Sequence, residues 1–137
     1  MNKRKFATCI AGLVCGLAMA TQAMAGDIVV IMAPNAAPLT KEQITNVYLG
    51  RALDLKPVDL PESNGTRADF YKKATDRDAS QIKALWARLM FTGHGQAPKV
   101  LESAAAVKKA VAADPKSVGY IDKADVDSTV KVVLTLN

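Results

Sequence analysis

The clearest pattern along the chain is a run of helical period past its middle. Ile82, Leu85, Trp86, Leu89 and Met90 recur at i, i+3, i+4, i+7 and i+8, which sets all five on one face of a helix. Ser80 stands before it as an N-cap and Gly93 after it as a stop. Thr40, with Gln43 three residues on, forms a capping box for an earlier helix whose Ile44, Val47 and Tyr48 share a face and whose end is marked by Gly50. A later helix starts near Ser103, turns Val107, Ala110 and Val111 inward, and ends at Asp114-Pro115. One more start is written in Thr66 with Asp69, a Thr-x-x-Asp capping arrangement behind the turn Ser63-Asn64-Gly65.

Strand patterns fill the gaps. Asp27-Ile28-Val29-Val30-Ile31-Met32 is an unbroken β-branched run, as expected of a strand buried on both faces of a parallel sheet. A short strand is expected near Lys56 to Leu60 and another over Ser117 to Ile121. Thr129 to Leu136 alternates Val130, Val132, Leu134 and Leu136 against Lys131 and Thr135, with Val133 breaking the alternation. Three or four strands flanked by four helices predict a single α/β domain with a small mixed or parallel sheet.

The first 25 residues stand apart. Lys3, Arg4 and Lys5 precede an apolar run from Phe6 to Ala20, and Ala23-Met24-Ala25 forms an A-x-A site. The run falls short of the roughly 20 residues that span a bilayer. Residues 1–25 therefore read as a cleaved signal peptide, residues 26–137 as the working domain, and the periplasm as its location. Cys9 and Cys15, the two cysteines of the chain, leave with the leader, and with them disulfide and thiol chemistry. Losing three of 18 basic residues lowers the net charge from +5 to +2. That small excess gives no footprint for nucleic acid.

Catalytic groups are scarce. His94, the one histidine, lies between Gly93 and Gly95, where an exposed position past a helix end is expected. There is no metal-ligand spacing and no nucleotide-binding Gly-Lys-Ser/Thr, so neither a metal, a cofactor nor an enzymatic role is expected. The stretch Ser63-Asn64-Gly65-Thr66-Arg67 is different in kind. A helix N-terminus offers unpaired N–H groups and the positive end of its dipole, and Gly65 lets a ligand approach the backbone. Ser63 and Thr66 add hydroxyls and Arg67 a forked cation. In a first helical turn that cation opposes the dipole, so Arg67 is expected to do little for the fold and more for a ligand. The same stretch is also adequate as the ordinary start of a helix.

In order along the chain, several segments resemble one lobe of the phosphate-binding periplasmic proteins of ABC transporters. Val29 to Asn35 resembles the strand and loop entering that lobe. Leu39 to Arg51 resembles the family's Leu-Ser/Thr-x-x-Gln-Leu…Ile-Phe-x-Gly-Lys helix. Ser63 to Arg67, with Phe70 after it, resembles its Gly-Ser-Gly-Thr-Arg…Phe phosphate loop, and Val118-Gly119-Tyr120-Ile121 its late Ile-Gly-Tyr strand. The resemblance implies a periplasmic-binding-protein-like lobe. It implies an anion site at Ser63, Asn64, Gly65, Thr66 and Arg67, with Asn35 as a further candidate, and a transporter or sensor protein as partner. Two departures accompany it. Val58-Asp59-Leu60-Pro61 lacks the arginine the family usually carries before its loop, and the chain has one lobe where the family closes two around the ligand. A domain that only docks on a partner is the rival reading. The sequence leaves the oxyanion and the oligomeric state open.

Overall fold

The computed structural model describes residues 27–137. The leader, its Ala23-Met24-Ala25 site and Gly26 lie outside the described residues. Five strands and four helices follow in the order β1 (Ile28–Met32), α1 (Lys41–Tyr48), β2 (Lys56–Asp59), α2 (Gly65–Thr75), α3 (Ala79–Phe91), β3 (Lys99–Val100), α4 (Ala104–Ala113), β4 (Ser117–Asp122) and β5 (Lys131–Leu136). They form one mixed sheet in the spatial order β3-β2-β4-β1-β5. The expected α/β class holds, with a fifth strand that two residues of unpatterned sequence, Lys99-Val100, did not announce.

β1 is buried at all five positions, as its β-branched run requires. It nevertheless runs antiparallel to both neighbours, pairing Val30 with Tyr120 on β4 and with Leu134 on β5. Burial on both faces explains the apolar run; the direction of the partners leaves no mark on it. The parallel part of the sheet is β2 against β4 and β3.

A bulge resolves the irregular alternation of β5. Val30 pairs with Leu134 and Ile31 with Val132, so Val133 is the extra residue between them. It turns inward and is buried, whereas Val132, expected to face the core, is 37% exposed.

Helix starts differ from expectation at two places. Thr40 and Gln43 form the anticipated capping box of α1. α2, however, is capped by Asn64, whose Oδ1 accepts from Thr66 N at 3.0 Å, so Thr66 lies inside the helix. α3 is capped two residues before Ser80 by Asp78 in a box with Gln81. Asp76 in the left-handed region (φ 58°) closes α2 just ahead of it. On α3 the buried residues are Ile82 and Trp86; Leu85 and Leu89 are half-buried and Met90 is 52% exposed.

The helices cover both faces of the sheet. Successive residues of β4 point to opposite sides. Tyr120 stacks on Phe70 of α2, with centroids 3.8 Å apart. Gly119 faces α4 so closely that a Cβ there would stand 2.6 Å from Val107 Cγ1 and 2.9 Å from Val58 Cγ2. Gly119→Ala therefore overpacks this contact and is expected to cost about 1–3 kcal/mol. A urea midpoint unchanged from wild type would show that α4 can retreat freely.

Candidate functional site

β2 and β4 form ladder pairs at Lys56–Ser117 and Pro57–Val118. Beyond them, tyrosine hydroxyls bridge the two strands. Tyr48 of α1 donates toward Val58 O at 2.8 Å, with Val118 O at 3.3 Å. Tyr120 accepts from Leu60 N at 3.3 Å. The sheet here carries an aromatic layer in which Tyr48 meets Phe70 edge-on at 4.7 Å and Phe70 meets Tyr71 at 5.3 Å.

Asp59, at the carboxyl end of β2, is only 2% exposed and stands at the centre of this layer. Tyr71 donates to its Oδ2 at 2.6 Å, Tyr120 donates to its Oδ1, and Leu60 N donates to Oδ1 at 2.8 Å. Arg67 completes the group. Its Nε lies 3.3 Å from Asp59 Oδ1, out of line for a hydrogen bond, and its guanidinium carbon sits 5.2 Å from the centre of the Tyr71 ring. Arg67 and Tyr71 are i and i+4 on α2, so one helix face supplies both.

The electrostatics follow from burial and that one carboxylate. Burial raises the pKa of Tyr71 and of Tyr120, and the neighbouring Asp59 charge raises them further. Tyr48 is raised well above the ordinary value by burial, then by Tyr71 and Asp59. Burial lowers the Arg67 pKa, but Asp59 outweighs it and the guanidinium ends above its ordinary value.

The loop from Leu60 to Asn64 leaves β2 at this end of the sheet. It delivers Ser63, Asn64, Gly65, Thr66 and Arg67 to the start of α2, beside the end of β4, where Thr66 Oγ1 donates to Asp122 Oδ2 at 3.2 Å. Ser63 is exposed, and no atom lies within 4 Å of where a Cβ on Gly65 would stand. The five residues thus come together, three of them already occupied. Asn64 caps the helix, Thr66 hydrogen-bonds to Asp122, Arg67 pairs with Asp59, and Ser63 and Gly65 face open space. Arg67, at 8% exposed, works for the fold, contrary to the expectation drawn from its place in the first turn. That expectation considered the helix dipole and not the carboxylate of β2.

Asn35 is not brought to this group. Ile28 at the start of β1 pairs with Asp122, whereas Ile31 pairs with Gly119, so the exit of β1 lies at the opposite end of the sheet. Four steps of strand at roughly 3.3 Å each separate the two ends of β1. His94 is exposed past the end of α3, with Nδ1 3.0 Å from Thr92 Oγ1. Among the described residues, no group of three or more His, Cys, Asp or Glu side chains is placed to hold a metal. Sequence reasoning missed Asp59, Tyr71 and Tyr120: β2 reads Lys-Pro-Val-Asp, and nothing local marks its last carboxylate as buried.

The mixed sheet, its two helical layers and the loop at the carboxyl end of β2 define a single lobe of the periplasmic-binding-protein-like fold. Several solved structures share it. An ABC-type phosphate transport receptor from Vibrio cholerae superposes with a TM-score of 0.63 at 22% identity, over 79% of this chain and 45% of that one. A putative phosphate ABC transporter substrate-binding protein with bound phosphate, from Clostridium perfringens, gives 0.64 at 20% identity, over 79% and 44%. PstS from Borrelia burgdorferi gives 0.58 at 13% identity, over 79% and 46%. The chain thus spans less than half the length of each, and at these identities the likeness is one of fold. No protein-family model and no curated protein matches the sequence.

Two outcomes test the buried group. Arg67→Ala leaves the Asp59 carboxylate buried without its cation and is expected to destabilise by on the order of 3 kcal/mol. Adding Asp59→Asn should recover part of that loss, and simple additivity of the two changes in chemical denaturation would dissolve the pair. Tyr48, Tyr71 and Tyr120 are the three tyrosines of the chain, so phenolate absorbance reads this layer alone. Unfolded tyrosine ionises near pH 10, and the folded values lie higher. The stabilisation they give is complete below about pH 10 and falls as pH rises beyond it. Phenolate absorbance should therefore appear together with the loss of secondary structure, and a separate earlier titration would refute the arrangement.

Proposed function

We propose that the chain is a non-catalytic module, exported to the periplasm, that binds phosphate or a similar oxyanion in the service of an ABC-type uptake or sensing protein. One observation carries the reading. In a fold shared with phosphate receptors, the loop after β2 brings Ser63 to Arg67 to a helix start that is open at Gly65. The Ser63 hydroxyl and the Gly65 N–H would hold the oxyanion, with the dipole of α2 behind them; the Thr66 and Arg67 N–H groups are already given to Asn64. Arg67 would contribute its charge from its place against Asp59, and Asn64 and Thr66 would shape the loop.

A specific observation favours the rival reading, a docking domain with no small ligand. Arg67 is already paired to Asp59, and the Thr66 hydroxyl is already given to a carboxylate. Both groups would meet a ligand with part of their capacity in use.

Gly65→Ala separates the two. The added methyl meets no protein atom, so the fold should be unharmed or stabilised by about 0.4–1 kcal/mol. It would stand where an oxyanion must approach the backbone. Thermal unfolding in phosphate against chloride, at equal ionic strength, is expected to show a phosphate-dependent rise in wild type that shrinks in Gly65→Ala. A ligand at 100 times its Kd stabilises by about 2.7 kcal/mol, several degrees for a domain of this size. No rise in wild type at tens of millimolar phosphate would leave the docking domain as the reading.

A further inference from the structure

At the end of the sheet remote from Ser63–Arg67, the structure has a cleft of about 610 Å³, a volume in the range that holds small ligands. Lys56, Lys99 and Ser117 line it, and these begin β2, β3 and β4, so it opens at the amino ends of the parallel strands. Its walls are mostly apolar. Leu53, on the irregular segment between α1 and β2, is 77% exposed along one side, with Leu55 beside it. Trp86 of α3 forms another wall. Its indole N–H is already donated to Tyr48 O at 3.2 Å, so the ring presents carbon to the cleft. Gly50, at φ +74°, lets the chain pass close to that ring: a Cβ there would stand 3.1 Å from Trp86.

The charges of the lining do not cancel. Lys56 pairs with Asp114 at 3.2 Å, whereas Lys99 takes part in no ion pair among the described residues. The lining therefore carries one uncompensated positive charge beside an apolar wall with a protruding leucine. We propose that this cleft binds a small, free amphiphilic anion, an apolar chain bearing a single carboxylate. The chain lies against Leu53, Leu55 and Trp86, and the carboxylate meets Lys99. The two chemistries required are the two the cleft supplies. This site is separate from the loop before α2 and does not depend on phosphate binding there.

Trp86 is the one tryptophan of the chain and reports on its own wall. The probes are decanoate and its uncharged counterpart decanol, each titrated below the concentration at which it aggregates, against wild type and Lys99→Glu. Lys99 is exposed, so the reversal of charge leaves the core untouched. Decanoate is expected to change Trp86 emission saturably in wild type. Lys99→Glu should weaken it by about tenfold, or about 1.4 kcal/mol. Decanol should bind both proteins alike. No saturable response to decanoate overturns the proposal, as does a decanoate affinity unchanged in Lys99→Glu. A response to vesicles of anionic phospholipid without one to free decanoate also overturns it, in favour of a membrane surface. Excess phosphate should leave the decanoate titration unchanged; displacement would mean that the two sites are not separate.

Discussion

A buried carboxylate sets the terms for this domain. Asp59 ends the short strand β2, and removing its charge from water is costly unless donors and a cation surround it. The chain surrounds it with two tyrosine hydroxyls, one backbone N–H and one guanidinium, drawn from β4, α2 and the first residue after β2. Each partner is thereby fixed in place. Tyr120 must face α2, which puts Gly119 against α4; Tyr71 and Arg67 must share a helix face, which sets the rotation of α2. The aromatic layer around the carboxylate then excludes the water that would otherwise screen it. A network of this kind specifies one arrangement because a partly satisfied version is worse than none.

The same carboxylate marks where sequence reading stopped. Capping residues, helical faces and β-branched runs are local, and they placed α1, α3, α4, β1, β2, β4 and β5 within a few residues. The N-terminus of α2 was visible as a cluster, but its cap was assigned to Thr66 because the Thr-x-x-Asp spacing competes with Asn64, a good cap in its own right. The antiparallel pairing of β1 was hidden because burial on both faces looks the same in either direction. The bulge at Val133 was visible only as a flaw in an alternation. Arg67 was misjudged for a deeper reason. Its partner lies eight residues back on another element, and nothing local distinguishes a cation facing a ligand from one facing a strand end. Of the residues expected at the site, those on the loop came together because they are consecutive. Asn35 did not, since its placement depended on the direction of β1.

The pairing of Arg67 with Asp59 changes how an oxyanion would be held. A guanidinium with a permanent carboxylate partner is close to neutral as seen from a distance, so it gives little long-range attraction. What remains at short range is directional: the Gly65 N–H, the Ser63 hydroxyl and the helix dipole, since the next two N–H groups of α2 are given to Asn64. Such groups act only on a ligand already in contact. Binding there would depend on close approach at Gly65 more than on the charge of Arg67, whose loss harms the fold before it harms a site.

The topology also separates two kinds of surface. At the carboxyl ends of β2 and β4, the loop from Leu60 to Asn64 and the end of β4 present polar groups over a layer that is fully packed. At the amino ends, the segment between α1 and β2 passes close to Trp86 at Gly50 but holds Leu53 out into solvent. The cleft there also includes Lys99, a lysine without an ion pair among the described residues. The difference traces to the connections. The route from β2 into α2 is short and turns at once into a capped helix. The route from α1 into β2 runs through Arg51 to Leu55 without regular structure, and it carries Leu53 outward. An apolar side chain held out in this way lowers the free energy of the folded chain only when something covers it. Covering Leu53 is what the proposed amphiphilic ligand would contribute at a position where the fold itself covers nothing.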